Sequence, residues 1–253
     1  MTLASKTLAI VGYGQFGQFI HTLQQQHCPE WKTVVVTSQA RNDIQKVTLA
    51  EAAQCDVVIV CVAINRYEAT LKELAPLLRP ETIVVDVATV KEITEKACQT
   101  YLPEQPYLCV HPMFGPASYV KSGRSVAGFR VVVTSHTLSL PVYEELQFWV
   151  KQLGLVMIEM TAVAHDRYLA ETLFLTHYIA QTITAADFVR TTIDTVSFGF
   201  LMDAVESVRD DTALFADVFA YNQYCQATID RLRVATNAVQ AELQKQQRTD
   251  KSE

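Results

Sequence analysis

A glycine pattern near the start of the chain is the feature that most limits its fold. The apolar stretch Thr7–Val11 runs directly into Gly12-Tyr13-Gly14-Gln15-Phe16-Gly17, and an apolar helical face follows. In such a strand–turn–helix, Gly12 allows the tight turn, Gly14 lets the backbone approach a pyrophosphate, and Gly17 lets the helix pack closely on the strand. Because a helix N-terminus attracts phosphate, the pattern predicts a dinucleotide site. Its residues would be Gly12, Gly14, Gln15, Phe16 and Gly17; the alternative is a glycine-rich turn that binds nothing.

The end of the second strand pattern indicates which dinucleotide fits. After the β-branched run Thr33–Val36, the segment Thr37–Arg41 lacks the carboxylate that usually binds the ribose 2′-hydroxyl of NAD. Ser38 can donate a hydrogen bond, and Arg41 can bind a phosphate through its planar guanidinium group. These residues favour NADP over NAD. The alternative is that Arg41 is a solvated loop charge, and Asp43 is close enough in sequence to pair with it.

Composition excludes several classes of partner. The 253 residues are 49% hydrophobic and 19% charged, with a formal net charge of −6, which argues against nucleic acid or an anionic membrane as partner. No apolar run is long enough to span a bilayer, and a strand pattern that begins at Thr7 leaves no room for a signal peptide. The six cysteines show no metal-binding spacing, so we expect no metal site and a reducing, cytoplasmic location.

Strand and helix patterns alternate over the first 160 residues. The near-continuous apolar run Val57–Val62 indicates a strand that is buried on both faces, as in a doubly wound parallel sheet. Strand patterns occur at 7–11, 33–37, 57–62, 82–87, 107–110, 129–134 and 155–160, and helical patterns at about 15–26, 66–78, 91–100 and 139–152.

After Thr161 the sequence becomes helical in character, with one glycine and no proline. Thr161 can cap a helix that starts near Ala162, and further helices are predicted at about 194–207, 210–222 and 223–246. We therefore expect an α/β Rossmann-type doubly wound sheet in 1–160, a smaller all-α domain in 161–246 and a polar tail in 247–253. A cofactor and a second substrate would meet in the cleft between two such domains.

A histidine at the end of the fifth strand pattern is the first candidate for chemistry. The apolar run Tyr107–Val110 leads into His111, and Pro112 is expected to stop further strand pairing. His111 would then lie at the carboxyl edge of the sheet, where open α/β sheets bind their ligands. Taken alone, a histidine at such a position is more often structural than catalytic.

Several segments together resemble prephenate and arogenate dehydrogenases, the oxidoreductases of tyrosine biosynthesis. The string His111-Pro112-Met113-Phe114-Gly115-Pro116 is similar to a signature of that family. The resemblance extends in order over about residues 6–240 and looks most like the plant-type arogenate dehydrogenase branch. The other matching segments are Asp86–Glu92, Ala164–Asp166, Phe174–His177, Phe200–Glu206 and Phe219–Asn222.

The resemblance implies an enzyme that oxidatively decarboxylates arogenate to tyrosine, with hydride transfer to NADP. The alternative is a prephenate dehydrogenase that makes 4-hydroxyphenylpyruvate. His111 is implied as the base that takes the proton of the ring hydroxyl, because a neutral histidine can accept a proton near pH 7. Thr89, where the family has a serine, would hydrogen-bond the ring hydroxyl or orient His111; it could also cap the helix that follows.

Substrate contacts and assembly are implied in the same way. His177 would contact the substrate unless it is a satisfied core histidine. Asp203 would bind the ammonium group that distinguishes arogenate from prephenate, and the alternative is a solvated helix acid beside Glu206. Family members dimerise through the helical region, so we expect a homodimer joined by the helical domains. The sequence departs from the family at Ala164, where a glutamate is usual.

Two interpretations come from other classes of protein. A β-hydroxyacid-type dehydrogenase also pairs a Rossmann domain with a helical one, but it typically relies on a lysine in the helical domain, and residues 162–188 contain none. A non-catalytic nucleotide-sensing module would keep the fold and leave His111 without a role.

Overall fold

A seven-stranded sheet organises the first part of the chain in the computed structural model, which describes residues 6–249. The strands are β1 (Thr7–Val11), β2 (Lys32–Val36), β3 (Val57–Val60), β4 (Ile83–Asp86), β5 (Tyr107–Pro112), β6 (Arg130–His136) and β7 (Val156–Glu159). They lie in the order β2-β1-β3-β4-β5-β6-β7. The first five run parallel, β6 pairs antiparallel with β5, and β7 runs parallel to β6. The predicted Rossmann-type fold is confirmed.

Helices connect these strands, as the alternating pattern predicts. They are α1 (Gln15–His27), α2 (Leu49–Ala52), α3 (Ile64–Leu74), α4 (Glu92–Tyr101), α5 (Pro116–Lys121) and α6 (Leu140–Gln152), with a 3₁₀ turn at Ala75–Leu77. The sequence analysis missed α2 and α5, because four and six residues are too few to show a helical period. A local signal for α2 was present nevertheless, since Thr48 and Glu51 form a capping box at its start.

The sheet is buried on both faces. Neighbouring β1 residues point to opposite faces, and Ala9 and Ile10 are both fully buried, each in a different apolar cluster. Val58 on β3 joins the cluster of Ala9, whereas Val57 joins that of Ile10. Burial of a large aliphatic side chain contributes about 1.5–3 kcal/mol. The carboxyl edge of the sheet is therefore supported by a well-packed core on both faces.

A second compact unit begins at Asp166, within helix α7 (Ala162–Leu169). Its further helices are a π-helical segment (Ala170–Phe174), α8 (Leu175–Ala185), α9 (Val196–Val208), α10 (Thr212–Tyr221) and α11 (Cys225–Thr249). Phe174 is fully buried and stacks on Phe215 and Phe219, with ring centroids 5.4 and 5.9 Å apart. No helix within residues 6–249 has both the length and the apolar character needed to cross a membrane.

The two ends of this helical region can be compared with the sequence. The Thr161 side chain accepts a hydrogen bond from the Ala164 backbone N–H at 3.2 Å, so the predicted cap is confirmed. Helix α11 runs to Thr249, three residues beyond its predicted end at 246, because glutamine and arginine, which follow that position, are good helix formers. The rest of the predicted tail, residues 250–253, lies outside the described part of the chain.

Candidate active site

Two glycines of the turn after β1 have no space for a side chain. Gly12 has φ +96°, and a Cβ there would lie 2.7 Å from the carbonyl oxygen of Cys61. A Cβ at Gly17 would overlap the carbonyl oxygen of Gly12. Both positions are therefore closed to any side chain by the neighbouring backbone.

Gly14 differs from these two glycines, because a Cβ there would meet no atom within 4 Å. It is exposed and forms the N-cap of α1, whose first turn has no acidic residue. The backbone N–H groups of a helix's first turn have no intrahelical partner, and here they belong to Gln15, Phe16 and Gly17. The turn thus has the open space and the donors that a pyrophosphate needs.

The loop after β2 carries an ion pair. The guanidinium group of Arg41 donates two hydrogen bonds to the carboxylate of Asp43, at 2.9 and 2.7 Å, so the pairing left open by the sequence is present. This bond lowers the pKa of Asp43 to about 2. Arg41 also lies over the ring of Tyr13, 5.3 Å from its centroid, and Ser38 is exposed. The cation near the predicted 2′-phosphate position is therefore already paired with an anion.

His111 lies on β5, with only 6% of its surface exposed. Its Nδ1 is hydrogen-bonded to Nε2 of His165, which is 3% exposed, at 2.9 Å. Burial holds the pKa of His111 well below its ordinary value, and the nearby His165 and Lys91 lower it further. The imidazole is therefore neutral at pH 7, as a group that accepts a proton must be.

The expectation that Pro112 ends the strand pairing is wrong. Pro112 is part of β5 opposite Val131, and the Met113 N–H donates to the carbonyl oxygen of Arg130 at 2.9 Å. Successive N–H groups of a strand point to opposite sides, and that of Met113 points to β6. The missing N–H of Pro112 is on the β4 side, where the β4 pairing has already ended at Cys109.

A buried ion pair stabilises the turn after β4. The Asp86 carboxylate accepts hydrogen bonds from Lys91 Nζ and Thr94 Oγ1, both at 2.6 Å, and from the Ala88 N–H at 2.9 Å. Lys91 Nζ also donates to the carbonyl oxygen of Val110 at 2.7 Å. Because Val110 precedes His111, this lysine ties the turn to the strand that carries the histidine.

Thr89 lies in this turn and is half-buried. Helix α4 begins at Glu92 with Lys91 as its N-cap, so the alternative that Thr89 caps the helix is wrong. The Asp86 carboxylate stabilises this turn instead, because it accepts a hydrogen bond from the Ala88 N–H. Within residues 6–249 no hydrogen bond engages the Thr89 hydroxyl, which leaves it available to a ligand.

The second unit carries the predicted substrate residues. His177 on α8 is 3% exposed and lies parallel to the Phe215 ring, with centroids 6.4 Å apart. Its Nδ1 is buried and has no hydrogen-bond partner in the described chain, which is not the state of a satisfied core histidine. Burial also lowers the pKa of His177.

Asp203 on α9 has a different environment. Its side chain is 66% exposed, and its carboxylate accepts a hydrogen bond from Arg190 Nη2 at 2.5 Å. Arg190 also binds Glu206 at 2.8 and 3.0 Å, so the two acids share one guanidinium group. Asp203 can meet a substrate ammonium group only in competition with Arg190.

His165, Asp86 and Lys91 lie in segments that resemble the family, but the sequence predicted neither the contact of His165 with His111 nor the Asp86–Lys91 pair. Lys91 follows the strand end by five residues, and such a lysine is ordinarily exposed. His165 is 54 residues from His111 in sequence, and no local pattern indicates a contact over that distance.

Comparisons with known proteins agree with this arrangement. A family profile described as "Prephenate dehydrogenase, nucleotide-binding domain" matches residues 21–134, and one described as "TYRAAT1-like, C-terminal domain" matches residues 182–253. Arogenate dehydrogenase 1, chloroplastic, of Arabidopsis thaliana is 31% identical over 260 residues. The chain is thus similar in sequence to prephenate and arogenate dehydrogenases.

The similar proteins show how much of each chain is matched. The chain is 93% covered by Arogenate dehydrogenase 1 but spans 39% of that protein's length. Arogenate dehydrogenase 2, chloroplastic, of the same plant is 29% identical, with 93% of this chain and 69% of that protein covered. The structure of prephenate dehydrogenase from A. aeolicus, in complex with hydroxyphenyl propionate and NAD+, shares the fold. Its TM-score is 0.77 at 16% identity, covering 97% of this chain and 93% of that one.

Substitutions at Gly17 and Gly14 should affect two different properties, stability and cofactor binding. Gly17→Ala should lower the free energy of unfolding by about 1–3 kcal/mol, the usual cost of overpacking. Gly14→Ala should leave the melting temperature unchanged and weaken NADPH binding at least about tenfold, because its methyl group takes up space for the pyrophosphate. Thermal denaturation and fluorescence titration measure the two effects. A Gly14→Ala variant that binds NADPH like the wild type would contradict the assignment.

Proposed function

We propose that this chain oxidatively decarboxylates arogenate to tyrosine, with NADP as the hydride acceptor. The observation that carries the proposal is the buried, neutral His111 on β5, in the same unit as the open turn at Gly14. The similarity to arogenate and prephenate dehydrogenases supports the reaction class. The second candidate is the same reaction on prephenate, which the pairing of Asp203 with Arg190 favours.

The chemistry needs one group that holds a proton for a short time. When bound, the nicotinamide ring accepts the hydride that leaves the carbon bearing the ring hydroxyl. The hydroxyl proton passes to Nε2 of His111, since Nδ1 is already bonded to His165. The resulting dienone loses its carboxylate as CO₂, and the electron pair of the broken C–C bond makes the ring aromatic. The phenolate oxygen then takes the proton back from His111.

The first test concerns this base. His111→Ala should lower kcat by about 10²–10⁴-fold, the usual range for a general base, and should leave NADPH affinity unchanged. His136→Ala is the matched control, because His136 is half-buried in the same sheet and its Nδ1 has no partner among the described residues. Stopped-flow and steady-state assays with arogenate measure the loss. A His111→Ala variant that keeps more than a tenth of kcat would show another proton route.

The cofactor proposal rests on Ser38 and Arg41. NADP would place its 2′-phosphate between the Ser38 hydroxyl and the guanidinium group of Arg41, which would then exchange part of its bonding from Asp43 to the phosphate. Asp43 therefore reduces the preference for NADP without removing it. The absence of a carboxylate in the segment 37–41 supports NADP over NAD.

Two substitutions at the loop after β2 should move cofactor preference in opposite directions. Arg41→Ala should raise the KM for NADP about 10- to 100-fold, as for a lost charged hydrogen bond, and leave the KM for NAD unchanged. Asp43→Asn should lower the KM for NADP, because Arg41 loses its competing anion. Steady-state kinetics with both cofactors measure this. Equal KM values for NADP and NAD in the wild type would refute the proposal.

The substrate proposal rests on Asp203 and His177. The buried, unpartnered Nδ1 of His177 suits a polar substrate group, which would satisfy it. Asp203 would bind the ammonium group of arogenate once Arg190 turns to Glu206 alone. Prephenate has a keto group there and would leave the carboxylate without a cationic partner.

Selectivity between the two substrates tests Asp203. Asp203→Asn should shift the ratio of kcat/KM values toward prephenate by at least about tenfold. Glu206→Gln is the matched control, since it removes the other carboxylate that Arg190 binds. A wild-type preference for prephenate, or equal effects of the two variants, would remove Asp203 as the selector.

Exposed apolar residues support a homodimer joined by the helical domain, predicted at 161–246. Ile193, Val196 and Phe200 are 86%, 76% and 70% exposed, and Phe188 and Val189 are nearly as exposed. Exposed apolar residues are costly to leave in water, and a second copy of the chain is the partner that the resemblance to this family supports. The six free cysteines indicate a reducing compartment, and we therefore still predict a cytoplasmic location. The two Arabidopsis relatives are chloroplastic.

Light scattering tests the assembly. At micromolar concentration the wild type should give a species of about 57 kDa, twice the 28.3 kDa of one chain. Phe200→Glu should shift the population toward the single chain, because a buried unpaired charge opposes association. Phe148→Glu, at a 64% exposed position on α6, is the control and should not shift it. A wild type at 28.3 kDa would refute the dimer.

A further inference from the structure

Two buried imidazole rings lie within hydrogen-bonding distance of each other. His111 Nδ1 and His165 Nε2 are 2.9 Å apart, and their ring centroids are 5.1 Å apart at an interplanar angle of 72°. At this distance two lone pairs repel each other, and so do two N–H groups. One of the two nitrogens must carry the proton and the other must accept it.

The direction of this hydrogen bond decides what His111 can do. If His165 donates, the neutral His111 carries its own proton on Nε2 and has no lone pair there. If His111 donates through Nδ1, its Nε2 has a free lone pair and can accept a proton. Only the second arrangement suits a base.

We propose that His165 is a positioning residue that holds His111 in the Nδ1–H tautomer and so keeps its Nε2 ready to accept the substrate proton. The inference deepens the proposed function and rests on the role given there to His111. His165 itself need not touch the substrate. Its Nε2 acts as the acceptor that a carboxylate provides in other catalytic pairs.

The charges around His111 explain why a neutral acceptor serves here. Lys91 is a fully buried cation whose Nζ binds Asp86 and the carbonyl oxygen of Val110. Lys91 and His165 both lower the pKa of His111, so a charge on both rings at once is disfavoured. When the substrate O–H bond breaks and N–H forms at Nε2 of His111, the bridging proton can move to Nε2 of His165. Return of the proton to the product reverses both transfers.

Two substitutions separate this role from simple packing. His165→Gln keeps a neutral acceptor that does not titrate, whereas His165→Leu fills the same space without one. We expect His165→Leu to lower kcat by about 10–100-fold, as when a histidine's supporting partner is lost. His165→Gln should keep most of kcat and the wild-type melting temperature. His165→Leu leaves a buried nitrogen of His111 without its partner and should lower the melting temperature, so unchanged NADPH affinity is the check that this variant is folded. His136→Gln serves as the control and should change nothing.

The pH profile gives a readout that packing would not move. A general base works when it is neutral, so the acid limb of kcat/KM follows the pKa of His111. His165 contributes to the lowered pKa of His111, and a glutamine does not titrate and cannot do so. That pKa should therefore rise in His165→Gln, and the acid limb should move to higher pH. The proposal is overturned if His165→Leu and His165→Gln have equal kcat, or if the acid limb of His165→Gln coincides with that of the wild type.

Nuclear magnetic resonance tests the tautomer without any turnover. Two-bond ¹⁵N–¹H correlation spectra of ¹⁵N-histidine-labelled enzyme identify which ring nitrogen carries the proton, and His111→Gln assigns the signals. We expect the Nδ1–H tautomer of His111 in the wild type and a mixture in His165→Leu. An Nε2–H tautomer of His111 in the wild type overturns the inference. If the spectra agree but the wild type oxidises neither arogenate nor prephenate, the proposed function fails while the tautomer assignment stands.

Discussion

A charged pair without any solvent exposure, Asp86 and Lys91, holds together the part of the sheet on which the candidate site depends. Removing ions from water costs several kcal/mol each, and here hydrogen bonds from Thr94 and Ala88 and to Val110 offset that cost. Loss of one partner would leave the other charge buried alone, which costs about 3–5 kcal/mol. The pair therefore couples three segments that are separate in sequence: the end of β4, the following turn and the end of β5.

The same lysine affects the chemistry. A cation close to His111 disfavours its protonated form and, together with burial, keeps the ring neutral. A lowered pKa widens toward acid the pH range in which the base is available, but it also makes the base weaker. Both effects follow from the position of Lys91, because its ammonium group stabilises the edge of the sheet at Val110, next to His111.

Local patterns allowed much of the fold to be predicted, and long-range contacts account for what was missed. The strands and the turn at Gly12 depend on periods and residue types within a dozen positions, and they appear where the sequence indicates. The bond between His111 and His165 joins residues 54 positions apart, and burial of Lys91 runs against the usual exposure of lysine. For Arg41, the sequence showed both possible partners, but only the geometry revealed that Asp43 engages it with two hydrogen bonds.

The π-helical segment Ala170–Phe174 has a consequence for how the helical region tolerates change in length. A π turn contains one residue more than an α turn, and each residue of an α-helix advances the side-chain direction by about 100°. The π turn takes up this extra residue within the helix, so deletion of one residue there would restore an α turn and leave the side-chain directions of α8 nearly unchanged. His177 would keep its place beside Phe215. Deletion of Leu175 or Thr176, which lie outside the π segment, would instead turn His177 away from that ring by about 100°. The helical region should therefore tolerate the loss of a residue at the π turn better than the loss of a residue within α8.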